Sequence, residues 1–488
     1  MAYPEGLSAN HTLTYVDAST FKVSGETDKN GVPFTDIFTE GRRVRADCGA
    51  DGVVFSEAVS ASYDSGADET TVSLDDAVLT SSLSDMWFGA ISAGSTGSVP
   101  LHTHASDDQG GELVIAYGVR WDSINDIYEP GLVQGNVFVG GNSELFVHNQ
   151  MGRGLLTSGG SWDKLNPDDS TQYKDGSVAT LDGSAGQVMV EIPVFYQLVL
   201  RQNQYVYFLV SDQPFSFKGS SAWIPKGFYK GGSTASVRYC GAFEAVAASD
   251  STSALAKSIV KDTSGYSISY PNPFTNRERG QFRTQCDDGI FHQFDYGLWE
   301  IIVILFLTEY KTWNSQDVLP GYTWKSSWDY SYTYQVGQTV SLGDKSGTVT
   351  DGSDNVIANS FRGIENIFGH VWKWIDGINI DNTSGNVHIY IAFDPANFAD
   401  DTTSGYIDTG HAPGFGDNDD YIKDILGQGE LCPFYPSELG GDSSSYITDY
   451  NWNNSGDWRV LRVGGRLSGR ALAGLACLNA DDASSDSG

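Results

Sequence analysis

At 488 residues the chain is too long for one hydrophobic core, and its length predicts about two to four domains. Hydrophobic residues make up 40% and aromatics 12%, enough for sizeable cores. The 29 basic and 62 acidic residues leave a formal charge of −33, which repels phosphate backbones and excludes nucleic acid as a partner. Five cysteines (Cys48, Cys240, Cys286, Cys432 and Cys477) stand far apart without a C-x-x-C, so they outline neither a disulfide framework nor a zinc knuckle. The apolar run Ile301 to Leu307 is far short of the ~18 residues that span a bilayer, and membrane insertion is not expected. The first residues show no basic segment followed by an apolar one, so the expected product is made in a cytoplasm.

Gly is frequent, at 56 residues, and Ser, Thr, Asp and Asn cluster between short apolar runs, a texture of strands and tight turns. Residues 1–98 read as a small β module. "LTYVDASTFKVSG" alternates apolar and polar side chains, and "GRRVRADCGADGVVFSEAVSASYD" and "ETTVSLDDAVLT" repeat the pattern around a Gly-Ala-Asp-Gly turn. A small, polar linker follows at 99–112, and an intermediate β region at 113–185 contains "LVIAYGVRWDS" and "NVFVGGNSELFVH" as strands. From 186 a larger domain is expected to run to 488, opening with the strands "QVMVEIPVFYQLVL" and "QYVYFLVSD". Residues 297–313 form the long helix, with Asp295 as N-cap and Lys311 in the last turn; being apolar on nearly all sides, it should be buried. Strand "WRVLRVGG" lies near the end. No repeat of 20–50 residues is present, which argues against solenoids and propellers.

Signatures of catalysis are missing: no G-x-S-x-G, H-E-x-x-H, Walker A or G-x-G-x-x-G stands in the context its chemistry requires, so the chain does not read as an enzyme. His102-Thr103-His104 has metal-ligand spacing, since residues two apart on an extended strand face one way. One chain supplies two imidazoles; a parallel trimer would gather six around its axis, a set suited to an octahedral transition metal. The acidic run Asp417-Asn418-Asp419-Asp420 suggests calcium, but Ile422 stands where an EF-hand needs Gly. Beyond these two metal sites no cofactor is expected.

"FRGIENIFGHVWKWIDGINI" (361–380) resembles the central motif of the formylglycine-generating-enzyme type of C-type lectin fold, in the form found on phage tail fibres. "DWRVLRVGGRLSGRALAGLACLNADDASSDSG" (457–488) resembles the closing block of that fold, and "GQVMVEIPVFYQLVL" its opening strand. The N-terminal segments resemble a module common on such fibres. The resemblance implies a mostly β multidomain chain, with small N-terminal β modules followed by a C-terminal α+β domain of C-type lectin fold. Within the motif, Gly363 and Gly369 allow close turns, Trp372 and Trp374 face one way, Asp376-Gly377 signals a turn, and Arg362 and Glu365 make a structural ion pair or helix-end contact.

Relatives of this kind include an oxidase that makes formylglycine, variable proteins rewritten by diversity-generating retroelements, and fixed fibre adhesins. The oxidase uses a cysteine pair in its C-terminal region, where this chain has Cys477 alone, with Cys432 well upstream. A fibre-borne depolymerase would carry a long β-helix repeat. The resemblance therefore implies a phage tail-fibre adhesin on the virion, a homotrimer joined to other tail proteins, recognising a host surface receptor of protein or glycan; a purely structural fibre or decoration protein is the alternative. The segment 457–488 is the candidate variable region. Its expected ligand-binding residues are Asp457, Arg466, Leu467, Ser468, Arg470, Leu472, Asn479, Asp481, Asp482 and Asp486, with the two arginines as charged anchors and Leu467 and Leu472 as apolar contacts. Relatives continue past this block into an arginine-bearing strand, which leaves the closing β-pairing open.

Overall fold

A computed structural model of the chain describes residues 7–28, 31–39, 42–91, 114–134, 136–141, 145–247, 255–260, 273–321, 334–351, 356–383 and 387–487. Among the described residues the protein is mostly β, 41% strand against 13% helix. It divides into two compact units, Met1–Leu113 and Val114–Gly488. His102, His104 and the linker at 99–112 lie outside the described residues.

The first unit is one antiparallel sheet built from β1 (Leu13–Asp17), β2 (Thr20–Ser24), β3 (Arg42–Asp47), β4 (Val53–Asp64), β5 (Glu69–Leu74) and β6 (Asp85–Ile91), in the order β1-β2-β5-β4-β3-β6. The alternating run "LTYVDASTFKVSG" is a hairpin rather than one strand. Asp17 Oδ1 accepts from the Ser19 amide at 2.9 Å, an Asx turn that reverses the chain. The Gly-Ala-Asp-Gly signal is a single 3-10 turn at Gly49–Asp51. One face of the sheet buries Phe21, Val23, Val44 and Val72 against Phe34 and Phe38 from a short helical turn.

Strands from both sides of residue 186 share two sheets of the second unit, so 114–185 and the expected C-terminal domain form one body. The strands are β7 (Val114–Asp122), β8 (Ile127–Gln134), β9 (Val137–Gly140), β10 (Gly152–Leu156), β11 (Trp162–Asn166), β12 (Asp169–Tyr173), β13 (Gln187–Pro193), β14 (Tyr196–Gln202), β15 (Tyr205–Ser211) and β16 (Val237–Gly241). One sheet runs β12-β11-β10-β13-β16 and the other β14-β15-β7-β8-β9. "QVMVEIPVFYQLVL" is thus two strands in different sheets, broken at Val194 and Phe195 just after Pro193. The second half of "NVFVGGNSELFVH" ends in a 3-10 turn at His148–Gln150 rather than in a strand.

Helix α1 spans Arg279–Cys286 and helix α2 spans Tyr296–Tyr310. The Asp295 side chain accepts from Leu298 N and caps α2 as expected. The helix stops before 313 because Lys311 turns left-handed, at φ 61°, and its amide closes on Leu307 O. Every residue from Tyr296 to Thr308 is buried. Around α2 lies the main core, which also draws on β7, β13, β15 and the last sheet.

That last sheet has eight strands: β17 (Lys373–Asp381), β18 (His388–Ile391), β19 (Ile407–Asp408), β20 (Asp420–Ile425), β21 (Pro436–Leu439), β22 (Tyr450–Asn453), β23 (Trp458–Val463) and β24 (Leu478–Ala480). Their order is β19-β18-β17-β23-β24-β22-β20-β21. The closing pairing is supplied by β24, parallel to β22 and antiparallel to β23.

Candidate recognition face

The motif at 361–380 is a scaffold of buried polar contacts. Arg362 and Glu365 do not pair with each other. Arg362 meets Glu309 of α2 at 2.9 Å, whereas Glu365 accepts from the Gly337 amide at 2.6 Å and the Thr339 amide at 2.7 Å. Opposite Glu365 sits Arg153, fully buried, donating to Gly363 O at 2.7 Å, Ser170 Oγ at 3.0 Å and Thr339 Oγ1 at 2.9 Å. Burial raises the Glu365 carboxyl against these donors and lowers the Arg153 guanidinium to about 10. Gly369, at φ 86°, has no room for a side chain: a Cβ would come within 1.8 Å of Gly321 O.

Glu244 reaches the same motif from the segment after β16. It contacts the His370 ring, accepts from Lys373 Nζ at 3.0 Å and takes the Asn366 amide at 3.3 Å. Burial pushes Glu244 up, but His370 and Lys373 outweigh it and hold the carboxyl at about 2. Two arginines of α1 fasten the helix to β17. Arg279 donates to Ile378 O and Asn379 Oδ1 at 2.6 Å each, and Arg283 to Asp376 at 2.5 Å. Asp376-Gly377 is a bulge inside β17 rather than a turn; the register slips between Ile375 and Ile380, and Gly377 takes φ 72° against Ala392 O.

On this scaffold the eight-stranded sheet turns one face to the core. Ile375, Leu461, Val463 and Leu478 point there. The alternate residues point away, and strand register aligns them. Trp374 pairs with Arg462, Arg462 with Asn479, and Asn479 with Trp452, a lateral row across β17, β23, β24 and β22. Trp372 and Trp374 do face one way: the Arg462 guanidinium lies 5.5 Å from one ring and 5.3 Å from the other. Trp372 meets Trp452 edge-on at 5.4 Å, Trp452 tilts on Tyr450 at 4.7 Å, and Tyr450 meets Tyr421 at 5.1 Å. Trp374 and Asn479 are covered, while Trp372, Trp452, Tyr450 and Tyr421 are half-buried and the Arg462 side chain is 13% exposed. The result is a stiff aromatic strip with one guanidinium embedded in it.

The residues expected to bind ligand divide around this strip. Asn479 is part of the row, and Asp482 pairs with Arg462. Asp481 accepts from Asn454 Nδ2 at 2.8 Å, beside β22. Arg466 is exposed just past β23. Asp457 is exposed at the other end of β23, which at ~3.3 Å per residue puts it about 20 Å away from Arg466. Leu467 is not a surface contact; at 7% exposure it packs with Tyr334 and Ala358. Residues 467–472 form a 3-10 segment that tucks this leucine inward. Leu472 is half-buried, and the side chains of Ser468 and Arg470 lie outside the described residues. Asp486 accepts from the Ala483 amide at 2.8 Å, closing a local turn.

In the acidic run, Asp417 accepts from the Ser455 amide and Asp419 from the Asn453 amide at 2.8 Å, so the run ties down the loop after β22. Among the described residues no group of three or more His, Cys, Asp or Glu is placed to hold a metal ion, and all five thiols are free. Sequence reasoning missed Trp452, Tyr450, Tyr421 and Arg462. Their one local signal is the period-two spacing of Tyr450 and Trp452. No protein-family model matches the chain, and no curated protein matches it in sequence.

Proposed function

We propose that this chain is a host-recognition adhesin of a phage tail fibre, and that its C-terminal part has a C-type lectin fold of the formylglycine-generating-enzyme type. The observation that carries the reading is the strip of Trp372, Arg462, Trp452, Tyr450 and Tyr421 on a sheet face, with Arg466, Asp481, Asp482 and Asp486 close enough to act on the charge of Arg462. Rigid Trp and Tyr rings with an embedded Arg are the residue types that dominate binding energy at interfaces. They lose little side-chain entropy on contact, and the buried polar scaffold beneath holds them in place. A homotrimer on the virion, joined to other tail proteins, would offer three such faces to one host surface and raise apparent affinity by multivalency. Of the candidate variable residues, Arg466, Asp481, Asp482 and Asp486 then alter the charge beside a fixed aromatic platform.

The test is adsorption of the labelled full-length chain to a panel of bacteria. With a binding strain in hand, Trp452→Ala with Tyr450→Ala is expected to weaken adsorption about 30-fold or more, as hot-spot truncations of about 2 kcal/mol or greater do. Arg466→Ala with Arg470→Ala is expected to do the same while the oligomer survives in analytical ultracentrifugation. Undiminished adsorption by both double variants would leave the structural fibre or decoration role as the better account.

A further inference from the structure

The second unit also encloses a cavity of about 460 Å³, bounded by β13, β16, α1, α2 and the start of β17. That volume lies within the roughly 300–1,000 Å³ typical of small-molecule sites. Most of its wall is apolar, with Met189, Phe243, Phe282, Phe291, Trp299 and Ile302 among the residues that line it.

One strip of the wall is polar. Lys230, exposed on its turn, holds Nζ 3.2 Å from His292 Nε2. The next residue, Gln293, is 6% exposed and donates Nε2 to the Trp374 carbonyl at 3.2 Å. Its Oε1 is buried without a hydrogen-bond partner, and so is Trp374 Nε1. The cations here also differ in their company. Arg238 is answered by Asp295 and Lys373 by Glu244, whereas Lys230 pairs with no carboxylate among the described residues. Such a lysine beside an apolar cavity offers a local positive charge to an anion, against the repulsion of a chain with 62 acidic residues and 29 basic ones.

We propose that the cavity binds a small amphiphile with an aromatic or branched apolar body and an anionic head. The head sits at Lys230, on the Nε2 side of His292, whose Nδ1 faces Asp287 at 3.6 Å, and the body lies among the rings of the wall. The charged rim fixes its orientation, as a few placed polar groups do in apolar pockets. Such a ligand stabilises the native unit in proportion to its occupancy. Trp372 and Trp374 border both this cavity and the aromatic strip, but the proposal does not rest on the recognition reading and is tested without cells.

The test titrates the full-length chain with 8-anilinonaphthalene-1-sulfonate and with its neutral analogue N-phenyl-1-naphthylamine. Saturable binding of one sulfonate probe per chain is expected, with a rise in Tm. Lys230→Glu, a surface change, should weaken the sulfonate about five- to tenfold and leave the neutral probe unchanged. Ala235 is exposed and lines the cavity, so Ala235→Trp should block its mouth and abolish binding of both probes. Absence of saturable binding, equal loss of both probes in Lys230→Glu, or binding that survives Ala235→Trp would each overturn the proposal.

Discussion

The two units hold themselves together by different means. In the first, hairpins satisfy their own backbone, and the core is a cluster of Phe21, Phe34, Phe38 and Phe88 with edge-on ring contacts at 5.4–5.7 Å around Phe38. In the second, long irregular segments between strands leave carbonyls and amides that no ladder covers, and buried charged side chains collect them. Arg153 and Arg279 are fully buried, and Glu365 is 2% exposed. A regular sheet can be glued by apolar area alone. An irregular, loop-rich body needs charged groups that reach several backbone positions at once, and it is then exposed to the loss of any one of them.

The comparison can be broken most forcefully at Arg153. Arg153→Met strands Glu365 and the Thr339 and Gly363 carbonyls, and about 3–5 kcal/mol should be lost from the second unit. Hydrogen exchange should show that loss across 145–480 and leave 7–91 protected. Phe38→Ala is the mirror experiment: about 3 kcal/mol lost by cavity formation, with the protection change confined to 7–91. Equal loss in both units from either variant would contradict the contrast.

Asp449 sharpens it. Fully buried, with Oδ2 accepting from the Ala476 amide at 2.7 Å, it is pushed by burial from 3.8 to about 7. A raised carboxyl pKa means that the folded state keeps its proton while the unfolded chain has lost it. The stability of this unit should therefore fall as pH rises from about 4 to about 7. Asp449→Asn should flatten that slope and gain on the order of 2 kcal/mol at pH 7 in urea titrations. The smallest expected change is Trp452→Ala, which should cost about 1 kcal/mol of stability because the ring is half-exposed, while removing much of the adsorption.

Much of the local structure was legible in the sequence. Asp295 capped α2 because a carboxylate before an apolar run has one good use there, and Trp372 and Trp374 faced one way because strand period is two. The misreadings lie where a local signal was overruled by distant partners. Asp376-Gly377 reads as a turn, yet Arg283 and the Ala392 amide, which donates to Gly377 O, hold it as a bulge within a strand. Leu467 reads as an exposed apolar contact in a Gly-rich tail, yet the 3-10 segment folds it onto Tyr334. Least visible was the lateral row, because Trp374, Arg462, Asn479 and Trp452 become neighbours through register, which no single strand encodes.

The position of β24 has a consequence for how the protein is made. This three-residue strand lies between β23 and β22 and is the seam that joins β19-β18-β17-β23 to β22-β20-β21. A ribosome delivers both flanks first and the seam last, on the order of seconds after β22. Until position 480 has been translated, the aromatic strip is split between two partial sheets with open edges at β22 and β23, the kind of edge that pairs with the wrong strand. Assembly of the platform is therefore gated by translation of β24, and a ribosome that stalls between β23 and β24 releases a chain with two sticky halves and no face to present.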